Sequence, residues 1–171
     1  DAIKISKMIS PDFILERYIK GNVYRITCVG TRFVACCLRE EPHVVGDGMH
    51  TIGELVDIKN SDPRRGGHAM KNYTLHTIRI TERSHDVLKK QKIRLSDIVE
   101  KGKKVYLHDK VILSAGADIH DKTGDIHVST KTLFEKAASL CEMPVIGFDF
   151  ICRDISMPYA GQECAIIEAN S

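Results

Sequence analysis

Tryptophan is absent, and aromatic residues make up only 6% of the 171 residues. A function built on aromatic cages or base stacking therefore has little to work with. None of the six cysteines (Cys28, Cys36, Cys37, Cys141, Cys152, Cys164) forms a CxxC pair, so zinc-ribbon spacing is missing. No apolar run approaches the length of a membrane span, and no secretory-signal pattern is seen. Neither charge dominates: 25 Lys and Arg stand against 23 Asp and Glu, a net charge of +2. So small an excess argues against a surface built for nucleic acid. Neither a GxxxxGK[ST] loop nor a GxGxxG fingerprint occurs. The expectation is a chain with no nucleic-acid partner and no membrane.

What is present reads as an ordinary globular domain. Apolar residues make up 43% and charged residues 28%, enough for one domain over residues 1–171 with a core of its own. Most cysteines sit in apolar, strand-like runs, which predicts buried free thiols and a cytoplasmic, reducing compartment. The chain starts at Asp1 and stops directly after an apolar strand, so a fragment is expected.

Periodicity predicts a short strand at 13–19, a hairpin of strands 23–29 and 32–38 covered on both faces, and strands at 105–107 and 111–117. It predicts helices within 51–60, about 84–91 and 130–142, with capping-box pairs Thr51/Glu54 and Thr132/Glu135. Residues 61–71 and 118–127 read as loops, and strands 145–152 and 164–170 close the chain. The fold class is α+β, with a mainly antiparallel sheet and flanking helices.

Asp149 stands in the middle of the apolar run Ile146-Gly147-Phe148-Asp149-Phe150-Ile151. Burying a carboxylate unpaired costs several kcal/mol, so it needs a partner. If strands 145–152 and 164–170 pair, Asp149 approaches Glu168, and Asn170 shares the face of Glu168. Two carboxylates and an amide oxygen suit Mg²⁺. A hydrogen-bonded or solvated carboxylate at a sheet edge is the competing reading of the same residues. The polar set Asp118, His120, Asp121, Asp125 and His127 reads as a solvated loop rather than a metal store.

Three blocks then carry a resemblance. They are Val44 to Val56 (with Gly46-Asp47-Gly48 and Thr51-Ile52-Gly53-Glu54-Leu55) followed by Asn60-Ser61-Asp62-Pro63-Arg64-Arg65-Gly66, Val105-Tyr106-Leu107 leading to Leu113-Ser114-Ala115-Gly116, and Gly147-Phe148-Asp149-Phe150-Ile151 ending in Ile167-Glu168-Ala169-Asn170. In this order and spacing they resemble the C-terminal part of the ATP-grasp domain of the cyanophycin synthetase family. Bifunctional glutamate–cysteine ligase/glutathione synthetases carry a similar block.

The resemblance implies an ATP-dependent carboxylate–amine ligase that joins an amino acid or peptide through an acyl phosphate. It implies Mg²⁺, or Mn²⁺ in its place, held by Asp149, Glu168 and Asn170. It implies a nucleotide hinge at Glu16, Arg17, Tyr18 and Ile19, within 13–21, and catalytic arginines Arg25 and Arg39 facing the phosphates. Arg64, Arg65, Ser114, Ala115 and Gly116 would contact substrate. The N-terminal ATP-grasp subdomain lies outside these residues, so the chain alone is expected to be inactive; a homo-oligomer is left open. Val23, His108, Ile112 and Ala117 depart from the family pattern. They keep an alternative in view, a non-catalytic nucleotide- or peptide-binding domain on the same scaffold.

Overall fold

The computed structural model describes residues 2–67 and 73–171; the end of the predicted basic loop, 68–71, lies outside the described residues. The strands are β1 (Asn22–Val29), β2 (Arg32–Glu40), β3 (His43–Val45), β4 (Arg65–Gly66), β5 (Leu75–His76), β6 (Lys104–Tyr106), β7 (Asp118–Asp121), β8 (Val145–Cys152) and β9 (Cys164–Asn170). The helices are α1 (Ala2–Ile9), α2 (Ile52–Asn60), α3 (Glu82–Lys90) and α4 (Val128–Cys141).

The predicted hairpin β1–β2 lies at the centre of a five-stranded sheet ordered β7-β2-β1-β8-β9, antiparallel at every pairing. Alternation puts Tyr24, Ile26 and Cys28 of β1 on one face, with Ile146, Phe148, Phe150 and Cys152 of β8. Helix α4 covers that face. Its Phe134 is fully buried, with ring centroids 5.2 Å from Phe148 and 5.1 Å from Phe150. The expectation of cover on both faces is corrected here: β1 alternates buried with half-buried residues, and the second face carries charge.

Residues 41–117 leave the sheet after β2, return at β7 and hold a second core. Val44, Ile52, Leu55, Val56, Ile78, Leu88, Ile93, Val99, Val105 and Leu107 pack together there. Helix α2 starts with the predicted capping box. Glu54 N–H donates to Thr51 Oγ1 at 3.3 Å, and Thr51 N–H donates to Glu54 Oε2 at 2.8 Å.

Other expectations change for identifiable reasons. Residues 13–19 form no strand: no neighbour offers them a ladder, and Ile14, Leu15 and Tyr18 stand about four-fifths exposed or more. Helix α4 begins at Val128, capped by His127, whose Nδ1 accepts from Ser129 N–H at 3.1 Å. With the helix already started, Thr132 bonds back to the Val128 carbonyl and Glu135 accepts from Phe33 N–H. Residues 111–117 form a single 3₁₀ turn at Leu113–Ala115 instead of a strand. The supposed loop at 118–127 opens with β7, which pairs with the free edge of β2. Helix α1 carries no signal that the sequence reading used.

Among the described residues no helix is long and apolar enough to cross a membrane. The cysteines are free: Cys28, Cys36 and Cys152 are buried, Cys37 and Cys164 partly so, and Cys141 is exposed. Burial pushes the Cys36 and Cys152 thiols up to about 12.

Truncating Phe134 to Ala should cost about 3–5 kcal/mol in urea denaturation, whereas Leu140→Ala on the exposed side should stay within about 0.5 kcal/mol. Alkylation at neutral pH, read by mass spectrometry, should modify Cys141 first and reach Cys28, Cys36 and Cys152 only on unfolding.

Candidate functional site: a charged row across the open sheet face

On the face away from α4, register aligns side chains strand by strand. Arg25 on β1 is opposite Asp149 on β8, and Asp149 is opposite Glu168 on β9. Asn170 is opposite Gly147, two residues along, so it shares the face with Glu168 and Asp149. On β2, Cys37 is opposite Arg25, and Arg39 is opposite Val23. The sheet therefore brings Arg25, Arg39, Asp149, Glu168 and Asn170 onto one side.

Asp149 is the hub. Arg25 Nε lies 2.9 Å from its Oδ1, and Arg39 Nη1 lies 3.1 Å from Oδ1 and 3.4 Å from Oδ2. Its side chain is only 15% exposed. The partner that its burial demanded is thus supplied by two guanidinium groups, and a metal is not needed to keep it there. The Nε–H of Arg39 has no acceptor, and that of Arg25, though close to Asp149, is not aligned for a hydrogen bond; both nitrogens are buried. The cluster holds two cations to one anion. Glu168 is exposed, and it makes no ion pair among the described residues. Those residues contain no group of three or more His, Cys, Asp or Glu placed to hold a metal. The donor set here is two carboxylates and an amide.

Gly147 makes this packing possible, and its role was not read from the sequence. Arg25 Nη1 donates to the Gly147 carbonyl at 3.0 Å, and a Cβ on Gly147 would lie 2.5 Å from that nitrogen. A glycine inside an apolar strand was the signal for such a close approach. Burial pushes the neighbouring Cys37 thiol up, against the pull of Arg39 and Arg25.

The other candidates lie apart from this row. Arg17 pairs with Glu163 at 2.5 Å, while Glu16, Tyr18 and Ile19 lie on the uncovered stretch before β1. A cavity of about 470 Å³, lined by Lys20, Gly21, Asn22, Arg153 and Glu163, adjoins that stretch. Ser114 and Ala115 form the 3₁₀ turn and line a cavity of about 190 Å³ with Arg79, Thr81 and Ser84. Gly116 has φ 98°, and a Cβ there would lie 2.7 Å from the Ile78 backbone.

Arg64 and Arg65 separate. Arg64 is exposed and forks onto Asp62, with Nη2 at 2.6 Å from Oδ2. Arg65 lies in the stretch read as a loop and is expected with Arg64 to contact substrate, but its side chain is 2% exposed. It pairs with Asp118 and donates to the His76 carbonyl at 2.7 Å and the Gly116 carbonyl at 3.1 Å. Asp118 also holds Lys59, whose Nζ donates to the His43 carbonyl at 2.7 Å. Burial lowers the Lys59 pKa against the pull of Asp118, and burial likewise lowers that of His43. Sequence reading missed this buried network because Lys59, Arg65 and Asp118 come from three separate segments.

Comparison with known proteins gives a consistent result. The chain is 37% identical over 159 residues to the cyanophycin synthetase of Crocosphaera subtropica, covering 92% of this chain. It is 32% identical over 171 residues to the glutathione biosynthesis bifunctional protein of Clostridium perfringens, covering 99% of this chain. The crystal structure of a bifunctional glutathione synthetase from Pasteurella multocida superposes with a TM-score of 0.76 at 32% identity, over 90% of this chain and 21% of that one. The chain is homologous to one segment of cyanophycin and glutathione synthetases. Its fold matches part of an ATP-grasp glutathione synthetase structure. The chain spans about a fifth of the length of these relatives, 18% and 22%. No protein-family model matches it.

Adding a methyl group at Gly147 should displace the Arg25 guanidinium, so Gly147→Ala should destabilise by about 1–3 kcal/mol in urea titration. Stability equal to the parent would mean that Arg25 does not cross the strand there.

Proposed function

We propose that this chain supplies the phosphate- and metal-binding strands of an ATP-dependent carboxylate–amine ligase acting on an amino acid or peptide. One observation carries the reading. Two arginines converge on Asp149, the buried Nε–H of Arg39 without an acceptor and that of Arg25 misaligned on the Asp149 carboxylate, on the face shared by Glu168 and Asn170. A buried donor left unsatisfied costs about 1–3 kcal/mol, and an incoming oxyanion removes that penalty. Planar guanidinium groups match phosphate oxygens, so Arg25 and Arg39 would bind the transferring phosphoryl group and offset its growing charge.

Asp149, Glu168 and Asn170 are hard oxygen donors on adjacent strands and fit Mg²⁺ or Mn²⁺. Bound there, the ion would neutralise phosphate charge. Glu168, exposed and without a counter-ion, is free to take it up, whereas Asp149 would first exchange contacts with its arginines. The backbone of Glu16 to Ile19 would read the adenine edge beside the cavity at Lys20–Asn22, and the Ser114–Gly116 turn would bring backbone N–H groups to a substrate carboxylate. The fold and the relatives support this reading. A lone fifth of such an enzyme should not turn over ATP.

One observation favours a second reading, a binding domain without chemistry: Arg25 and Arg39 already neutralise Asp149. Paramagnetic broadening separates the two. With ADP present, Mn²⁺ should broaden the amide signals of Gly147, Glu168 and Asn170 in the labelled chain. Glu168→Gln, which leaves both arginine pairs intact, should weaken the effect about tenfold or more, roughly 1.4 kcal/mol. No broadening at these residues, or broadening indifferent to Glu168, favours the domain without chemistry.

A further inference from the structure

A cavity of about 600 Å³ lies outside the five-stranded sheet, at the end of α3. Small-molecule sites usually measure about 300–1,000 Å³. His85 and Lys89 of α3 line it, together with Lys92, Arg94, Leu95 and Ser96 of the turn that follows. Leu88 and Ile93, both buried in the second core, supply apolar surface. Among the described residues no carboxylate lines it, whereas the cavity beside residues 20–22 includes Glu163. Lys89, Lys92 and Arg94 are exposed, and their side chains make no ion pair or hydrogen bond among the described residues. Three uncompensated cations thus border one hollow, in a chain whose net charge is only +2.

Ordinary helix chemistry explains one of these cations. The C-terminal end of a helix favours positive charge, and Lys89 stands in the last turn of α3. Lys92 and Arg94 lie beyond the helix. The ending of α3 is a Schellman motif: Ile93 N–H donates to the Leu88 carbonyl at 3.0 Å, and Lys92 N–H to the Lys89 carbonyl at 3.0 Å. That motif needs a left-handed residue at the position of Lys92, whose φ is 58°. Glycine takes this conformation without strain, and lysine does not. The strain is kept together with a charge that no group of the described chain uses, which points to a ligand contact. The turn itself is fixed. Asp97 Oδ2 accepts from Arg94 N–H at 2.8 Å, and the carbonyls of Leu95 and Asp97 accept from Gly53 and Ile52 N–H at 2.9 and 3.0 Å. Lys92 and Arg94 are therefore presented from backbone anchored to the start of α2.

We propose that this cavity binds a small molecule bearing a diphosphate group, with its phosphoryl oxygens on Lys89, Lys92 and Arg94 and any organic part on Leu88, Ile93 and Leu95. The charged lining offers donors: two ammonium groups and a guanidinium, with the Ser96 hydroxyl beside them. A matching ligand is rich in acceptors and carries several negative charges in a small volume, as a diphosphate does. A cleft lined by one sign of charge also concentrates the opposite ion. The cavity shares no residue with the row at Arg25, Arg39 and Asp149, and the proposal does not rest on the ligase reading.

The test uses the ¹⁵N-labelled chain without metal, at constant ionic strength. It is titrated with pyrophosphate, with ADP and with citrate, a polyanion without phosphate. Saturable shifts at the amides of Lys92, Arg94, Leu95 and Ser96 are expected below about 10 mM with pyrophosphate or ADP. Tighter binding of ADP assigns the apolar surface to an organic group, and tighter binding of pyrophosphate assigns the cavity to the free anion; either supports the site. Citrate should bind about fivefold more weakly or worse. Lys92→Gly relieves the backbone, so Tm should hold or rise while diphosphate binding weakens about fivefold or more. Arg94→Ala should weaken binding likewise with Tm unchanged, since Asp97 holds only the Arg94 backbone. No saturable shift at these amides, citrate binding as tightly as the diphosphates, or shifts indifferent to both variants overturns the proposal. ADP shifts confined to Gly147, Glu168 and Asn170 also overturn it, and leave the ligase reading standing.

Discussion

A carboxylate in the middle of an apolar strand must be paired, and the open face of this sheet is organised around that requirement. Asp149 is held between Arg25 and Arg39, drawn from the two strands that precede it in the sheet. Guanidinium groups lie where aliphatic side chains would otherwise close a second layer, so α4 covers one face only. Gly147 gives up its side chain to let Arg25 pass. The resulting surface is charged and partly buried.

The same logic operates where the excursion joins the sheet. Asp118 begins β7 and receives Arg65 and Lys59 from the excursion, while Glu40 at the end of β2 receives Lys104 at 2.7 Å and His120 at 3.2 Å. Burial works to raise the Glu40 pKa, but Lys104, His43 and His120 hold it below its ordinary value. Removing one partner from a buried pair costs more than the pair itself contributes. This network therefore fastens the second core to the sheet.

Much of the scaffold was legible in the residues. The β1–β2 hairpin, the closing strands and the box at Thr51 and Glu54 rest on local chemistry, and local chemistry survives folding. Asp149 announced itself as a charge out of place. The misreadings share a cause. Residues 13–19 look like a strand because they are apolar and extended, but a strand exists only where a neighbour supplies hydrogen bonds. Residues 118–121 look like a loop because they are polar, yet the free edge of β2 recruits them. Arg64 and Arg65 are identical in type and adjacent in sequence. Only the position of Asp118 decides which of them is buried.

By itself the sequence determined the elements with strong local signals and the kinship of the chain. Those depend on side-chain type and spacing along the chain. Tertiary structure alone decided that Asp149 is partnered by two arginines, and that Arg65 is buried on Asp118 while Arg64 stays at the surface on Asp62. The physical reason is that pairing of charges depends on which strands lie side by side. That choice is made by the burial of distant apolar faces, which no short stretch of sequence records.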